Sequence, residues 1–328
     1  MRVAVLGAGS WGTTFAALTS ARAATTLWAR RPELAETVRA TGHNVDYLPE
    51  EVLPQGLVCT ASLEEALEAA GVVVMAVPSH GFRAVLGAAA AFIPEGTPVV
   101  SLAKGLEQGS RRRMSEIVGE VAPGRPAGVL TGPNFAGEIL AGHPTASVLA
   151  MSDRDLATGL QELFSTSAFR VYTNDDVLGC EVAGALKNVI AIASGMADGM
   201  GFGDSTKAAL ITRGLAELTR VGKHLGGRPS TFAGLAGMGD LVATCISRHS
   251  RNRYVGEELG RGRTMEEVLA GMRMVAEGVN SAPAVVELAA AAGVEVPISE
   301  QVVAVLYDGR KPADALPALM QRGVKAEL

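Results

Sequence analysis

Short apolar, β-branched runs alternate with stretches of helical spacing from the first residues to about residue 173. RVAVL (2–6) leads into a helix pattern over Ser10 to Ser20, and TTLWA (25–29) into a segment opening at Pro32, a favoured first helical residue. GVVVMAV (71–77) precedes SHGFRAVLGAAAAF (79–92), and TPVVSLA (97–103) precedes GSRRRMSEIVGEV (109–121). PAGVL (126–130) precedes NFAGEILAG (134–142), TASVLA (145–150) precedes DRDLATGLQELF (153–164), and FRVYT (169–173) closes the series. Strand followed by helix, repeated, predicts parallel pairing through right-handed crossovers and hence an open, doubly wound sheet. Beyond about Asp175 the strand signals fade. Segments 175–199, 205–226, 263–272, 282–293 and 298–309 all carry helical spacing, which predicts a second, all-α domain. No low-complexity linker separates the halves, so the boundary is expected near the start of the long helix, with domains at 1–178 and 179–328.

Composition narrows the class. The chain has 328 residues, 48% hydrophobic and 19% charged, enough apolar material for two globular cores. The formal net charge is −5, and the only basic block, Arg111-Arg112-Arg113, reads as the solvated face of a helix, so nucleic acid is not an expected partner. Cys59, Cys180 and Cys245 are odd in number and widely spaced, which matches neither a disulfide framework nor a zinc site. They read as reduced, packed thiols of a cytoplasmic protein, with no metal. The chain enters a strand pattern at once, without the pattern of a signal peptide, and its apolar runs read as shorter than the eighteen residues a membrane span needs.

VAVLGAGSWG places Gly7, Gly9 and Gly12 as G-x-G-x-x-G between the first strand and the first helix. In that context the motif is a dinucleotide fingerprint: Gly7 for the tight turn, Gly9 for close approach of a pyrophosphate, Gly12 for the helix closing on the strand. The predicted fold is therefore α/β, an N-terminal Rossmann-type doubly wound sheet with an all-α C-terminal domain. Where an acidic residue would hold a ribose 2′-hydroxyl, the second strand ends in Arg30 and Arg31. Guanidinium groups there suit a 2′-phosphate, so the expected cofactor is NADP or NAD. Lys104 and the group Gly132, Pro133 and Asn134 follow later strands, at the sheet edge where such folds bind ligands.

Lys187 and Asn188 interrupt the apolar helix GALKNVIAIASGM. The residues three and four positions either side of Lys187 are Ala183, Gly184, Ile190 and Ala191, none able to pair with an ammonium. A snorkelling lysine is the structural alternative. The functional one is a proton-transfer group tuned by burial and neighbouring cations, as a hydride transfer to a ketone requires. Downstream, Asp240 follows a flexible glycine run with Thr244 one turn on, and Ser250, Arg251 and Asn252 offer an anion clamp.

VLGAGSWGT, VPSH, AKGLE, TGPNFAGE, GALKNVIAIASGMADGMGFGDSTKAALITRGLAE, GLAGMGDLVATC, SRNR and AEGVNS, in that order along nearly the whole chain, resemble the NAD(P)-dependent glycerol-3-phosphate dehydrogenases of bacterial type. The resemblance implies interconversion of sn-glycerol 3-phosphate and dihydroxyacetone phosphate, a supply of backbone for phospholipids, and a small phosphorylated substrate. It implies Lys187 as general acid/base, with Lys104 and Asp240 beside it. It implies substrate contacts at Lys104, Gly132, Asn134, Lys187, Asn188, Asp240, Thr244, Ser250, Arg251 and Asn252. Cofactor contacts are implied at Gly7, Gly9, Ser10, Trp11, Gly12, Arg30, Arg31, Lys104, Ala136, Arg251, Val275 and Glu277. Two positions depart from the family pattern. Asn134 stands where Ser or Thr is usual, and the stretch before the second strand is about one residue short, leaving open which of Arg30 and Arg31 meets the cofactor. A ketopantoate or 6-phosphogluconate type of dehydrogenase shares the glycine loop and helical second domain; a catalytically silent dinucleotide sensor is the alternative outside enzymology. The apolar helices of the second domain suggest a homodimer.

Overall fold

The computed structural model describes residues 1–272, 276–321 and 323, and the chain divides into two compact units, Met1–Glu181 and Val182–Leu328. The first unit holds one eight-stranded sheet: β1 (Val3–Leu6), β2 (Thr25–Trp28), β3 (Val58–Thr60), β4 (Val72–Met75), β5 (Val99–Ser101), β6 (Ala127–Thr131), β7 (Thr145–Met151) and β8 (Phe169–Asn174). The strand order is β3-β2-β1-β4-β5-β6-β7-β8. The reversal of order at β1 makes a switch point between β1 and β4, where doubly wound sheets open a ligand crevice.

Alternate residues of β1 feed opposite cores. Val3 and Val5 join Phe15, Phe164 and Phe169 on one face, while Ala4 and Leu6 join Phe82, Leu86, Met114 and Ile117 on the other. Burial on both faces explains why these strands read as continuous apolar runs rather than alternating ones.

Three features differ from the sequence expectation. The sheet is not wholly parallel, because β7 pairs antiparallel with β6. The connection between these strands carries only the 5-residue helix Ala136–Leu140. β3 is a 3-residue strand too short to register as a pattern. The arginine triplet is not a helix face: Arg111 has φ 59°, and the helix begins only at Met114. Arg113 lies before that helix and pairs at 2.9 Å with the buried carboxylate of Glu181.

The second unit is helical among the described residues. Its long helix, Val177–Gly199, begins in the first unit and carries Lys187. Its most apolar 18-residue window has mean hydropathy 1.5, long and apolar enough for a membrane span by composition alone, yet 83% of that window is buried inside the protein. The apolar stretch is thus longer than the sequence runs indicated. The helices Asp204–His224, Met265–Ala270, Glu277–Ala291 and Pro297–Tyr307 fall where helical spacing placed them. Pro229–Ala233, Asp240–Ile246, Arg251–Gly260 and Pro312–Met320 are additional. The glycine run before Asp240 is not a loose linker but a π-helical turn, Leu235–Gly239. A Cβ on Gly237 would lie 2.1 Å from the Phe232 carbonyl oxygen, so the turn packs too closely for any side chain there. Cys59, Cys180 and Cys245 are free and buried.

Candidate active site

The glycine loop continues directly from β1. Gly7 has φ 122°, and a Cβ on it would meet the Ala76 carbonyl oxygen at 2.6 Å; one on Gly12 would lie 2.0 Å from the Gly7 oxygen. Gly9 has open space around the same position. The loop is therefore closed against the sheet at Gly7 and Gly12 and open at Gly9, which fits a pyrophosphate approaching backbone. The helix Ser10–Ser20 starts there with Gly9 as N-cap and no side chain capping it. Its first N–H groups, from Ser10 onward, are the donors an anion would use. The Trp11 ring packs against Phe15 and Phe169 at centroid separations of 5.8 and 6.2 Å. Its Nε1 is buried without a hydrogen-bond partner among the described residues.

At the end of β2 the two arginines part company. Both are exposed. Arg31 is paired with Asp46, whereas Arg30 has no ion pair among the described residues. The side chain of Asn44, fully buried, donates to the Ala8 carbonyl at 2.9 Å and to Thr13 Oγ1 at 2.8 Å, tying the segment after the helix Pro32–Thr41 to the glycine loop. Asn44, Asp46 and their turn leave no signal in the sequence, because the polar stretch HNVDY between two elements carries no periodicity.

Lys104, Gly132 and Asn134 are brought together past β5 and β6. Lys104 Nζ donates to the Gly132 carbonyl at 2.7 Å. Gly132 has φ 141°, and a Cβ there would press on Ser147 Cα at 3.2 Å. Ser147 Oγ donates to the Thr131 carbonyl at 2.9 Å and so accepts from Asn134 Nδ2 at 3.0 Å. That order fixes the amide's orientation and leaves Asn134 Oδ1 as a buried acceptor with no protein partner among the described residues. Asn134 thus presents an acceptor where a serine or threonine would present a hydroxyl. Ala136 is the first residue of the short helix that follows.

In the second unit Lys187 is 4% exposed and is not a snorkelling lysine. Its Nζ lies 2.9 Å from Asp240 Oδ1 and donates to Thr244 Oγ1 at 2.6 Å. Thr244 Oγ1 in turn donates to the Asp240 carbonyl at 2.6 Å. Lys187's own helix gives it the apolar surround read from the sequence, and a carboxylate and a hydroxyl from the helix Asp240–Ile246 compensate the charge, with Asp240 beside it as the resemblance implies. Both sit on one face because they are four residues apart. Burying an ammonium without such partners would be strongly unfavourable.

Asn188, the next residue, accepts from Asn252 Nδ2 at 2.9 Å, and Asn252 Oδ1 accepts from the Gly278 N–H at 2.9 Å. Gly278 is forced, since a Cβ would sit 2.7 Å from the Asn188 carbonyl oxygen and 2.8 Å from Asn252 Oδ1. Ser250 caps the helix Arg251–Gly260 by accepting from the Arg253 N–H at 3.2 Å. The N–H groups of Arg251 and Asn252 stand free of intrahelical acceptors in that first turn. Arg251 is exposed. The protein around it lowers its guanidinium pKa from the ordinary value, and the Glu277 carboxylate pushes it back up. Glu277 opens the helix Glu277–Ala291. Val275 lies outside the described residues.

Two family descriptions match the chain. "NAD-dependent glycerol-3-phosphate dehydrogenase N-terminus" covers residues 2–157 and the corresponding C-terminus description covers 176–317. A curated relative from Sphingopyxis alaskensis, "Glycerol-3-phosphate dehydrogenase [NAD(P)+] 2", is 53% identical over 327 residues, 100% of this chain and 98% of its own. The relative of the same activity name from Moorella thermoacetica is 50% identical, covering 98% of this chain and 96% of its own. Among solved structures, the glycerol-3-phosphate dehydrogenase of Coxiella burnetii superposes with a TM-score of 0.93 at 37% identity, covering 98% of this chain and 99% of that one.

Proposed function

The chain belongs to the NAD-dependent glycerol-3-phosphate dehydrogenase family, and we propose that it interconverts sn-glycerol 3-phosphate and dihydroxyacetone phosphate with NAD(P)(H). The observation that carries the chemistry is the buried group Lys187, Asp240 and Thr244. When bound, the nicotinamide ring supplies the hydride on reduction and takes it on oxidation. Lys187 Nζ gives its proton to the C2 oxygen as the ketone becomes an alcohol, and takes it back in the reverse direction. Asp240 stands as the countercharge 2.9 Å from Nζ, and Thr244 fixes where its N–H bonds point. The phosphate of the substrate is assigned to Arg251 and the first-turn N–H groups of the Ser250-capped helix.

Gly7, Gly9 and Gly12, with the uncapped helix start at Ser10 and Trp11, fit the dinucleotide pyrophosphate. Arg30, which has no ion pair among the described residues, is assigned to a 2′-phosphate. Lys104, Gly132 and Asn134 are assigned to substrate and Ala136, Glu277 and Val275 to cofactor. Asn252 and Asn188 spend side-chain hydrogen bonds on each other and on Gly278, so we assign Asn252 to the phosphate through its backbone N–H. A cytoplasmic homodimer supplying glycerol phosphate to phospholipid synthesis completes the proposal. The free, buried cysteines suit a reducing compartment, and exposed Phe202, Tyr307 and Met320 offer apolar contact on the helical unit.

The test is dihydroxyacetone phosphate-dependent oxidation of NADPH and NADH by the purified chain and by Lys187→Ala. The native chain turns over, and the variant loses roughly a hundred- to ten-thousandfold in kcat while nicotinamide binding, read by fluorescence, stays near native. A variant that keeps full turnover removes Lys187 from the chemistry.

A further inference from the structure

We propose that Asp46 is a specificity-determining residue that sets the balance between NADP and NAD. The proposal rests on the reading that the end of β2 receives the adenosine ribose. That placement has a physical basis, since Leu6 of β1 is in register with Trp28 of β2 and the Gly7 N–H donates to the Trp28 carbonyl at 3.0 Å. The arginines two and three residues on are therefore anchored to the glycine loop.

Asp46 is anchored to the same loop from the other side. It lies in the tight turn Asn44–Leu48, where the Tyr47 and Leu48 N–H groups donate to the Asn44 carbonyl at 3.2 and 2.8 Å. Asn44 holds the turn to Ala8 and Thr13, and Ser10 Oγ donates to the Tyr47 carbonyl at 3.4 Å. The carboxylate is thus carried on a backbone fixed against the glycine loop and the first helix, and it pairs with Arg31.

Two consequences weigh against a 2′-phosphate, and an uncharged 2′-hydroxyl escapes both penalties. Asp46 neutralises Arg31, leaving Arg30 as the one cation of the pair without a carboxylate among the described residues. Asp46 also places a negative charge beside a site that must take a phosphate dianion. Both weaken NADP relative to NAD. A chain with two arginines at the end of β2 would otherwise favour NADP strongly; Asp46 offsets one of them. The pair is solvent-accessible, with side chains 51% and 41% exposed, so the effect is moderate and screened by salt.

The experiment compares the native chain, Asp46→Asn, Arg30→Ala and the double variant Asp46→Asn/Arg31→Ala. Two quantities are read: the NADPH-to-NADH ratio of kcat/KM, and the ratio of dissociation constants for 2′-phospho-ADP-ribose and ADP-ribose by calorimetry. Asp46→Asn should shift both ratios toward the phosphorylated form by roughly three- to tenfold at low salt, with the shift shrinking as ionic strength rises. Adding Arg31→Ala should remove the part of the gain that comes from the released guanidinium. Arg30→Ala should shift both ratios the other way. If Arg30→Ala has its effect and Asp46→Asn moves neither ratio, the proposal for Asp46 is overturned while the reading of β2 stands. If neither variant moves either ratio, the end of β2 does not meet the 2′-position and both fall. ADP-ribose binding in every variant shows that the glycine loop is folded.

Discussion

Lys187 shows how a single residue's role depends on partners that its own helix does not supply. Its local neighbours are small and apolar, and the compensating oxygens come from residues more than fifty positions away. Spacing could therefore register only that Lys187 was out of place; Asp240 beside it came from the family resemblance, and Thr244 as its second support from the structure. The two partners are separable. Thr244→Val keeps the shape and removes a hydroxyl that accepts from the buried Nζ. A loss of about 1–3 kcal/mol of stability is expected, measurable by denaturant unfolding, together with a lower kcat. Asp240→Asn removes the countercharge of a 4%-exposed ammonium and should lose more, about 3–5 kcal/mol. If both variants unfold at the native midpoint, Lys187 is not held as the geometry has it. Asn134 is the opposite case: the residue departs from the family pattern in a way the sequence displays, but only the Ser147 and Thr131 hydrogen bonds reveal that its free group is an acceptor.

Among the elements, legibility follows length and independence from the rest of the chain. The helix Ser10–Ser20 was readable because a glycine motif starts it and eleven residues carry its pattern. β3, with three residues, and the helix Asp240–Ile246, with seven, leave too short a trace, and the antiparallel pairing of β7 with β6 leaves no mark in the strand-then-helix pattern. The arginine triplet misled because charge runs usually face solvent, while Arg113 is drawn in by buried Glu181. Glycine abundance was also ambiguous in sequence and is explained by helix contact. A Cβ on Gly195 would lie 2.0 Å from the Arg253 carbonyl oxygen, and one on Gly256 would lie 2.0 Å from that of Ile192. The helices Val177–Gly199 and Arg251–Gly260 thus meet backbone to backbone, and that contact sets where the Ser250–Arg251 end stands relative to Lys187. Gly256→Ala must push them apart, destabilising by roughly 1–3 kcal/mol or more. KM for the phosphorylated substrate should rise more than kcat falls. Gly195→Ala, approaching the contact from the other helix, should give the same split; a lowered Tm with an unchanged KM in both would disconnect the contact from phosphate binding.

Across the whole molecule, desolvated carboxylates and arginine-paired ones act on stability in different pH windows. Glu217 is 3% exposed, and burial pushes its carboxyl up from 4.5 to about 7 despite acceptance from the Ile298 and Ser299 N–H groups and the Ser299 hydroxyl. Burial likewise raises Glu181. Glu107 is lowered by its hydrogen bond from Arg83, and Glu258 by that from Arg261. A carboxyl raised on folding binds its proton more tightly in the native state, so its stabilisation is complete below the unfolded value and is lost as pH rises through the folded one. For Glu217 that window runs from 4.5 to about 7 and amounts to about 3 kcal/mol. Glu107 and Glu258 work oppositely, adding stability above the ordinary carboxylate value that disappears as pH falls below it. The two directions together place the stability maximum on the mildly acidic side of neutrality. Tm should decline between pH 5 and about 7 and flatten above, as read by calorimetry in constant-ionic-strength buffers. Glu217→Gln cannot titrate, so it should lose most of that slope while starting from a lower Tm, because an amide offers one acceptor fewer to the helix start at Ile298 and Ser299. A native Tm that stays level across the window, matched by a level Tm in Glu217→Gln, would mean that the three donors outweigh burial and hold Glu217 ionised throughout.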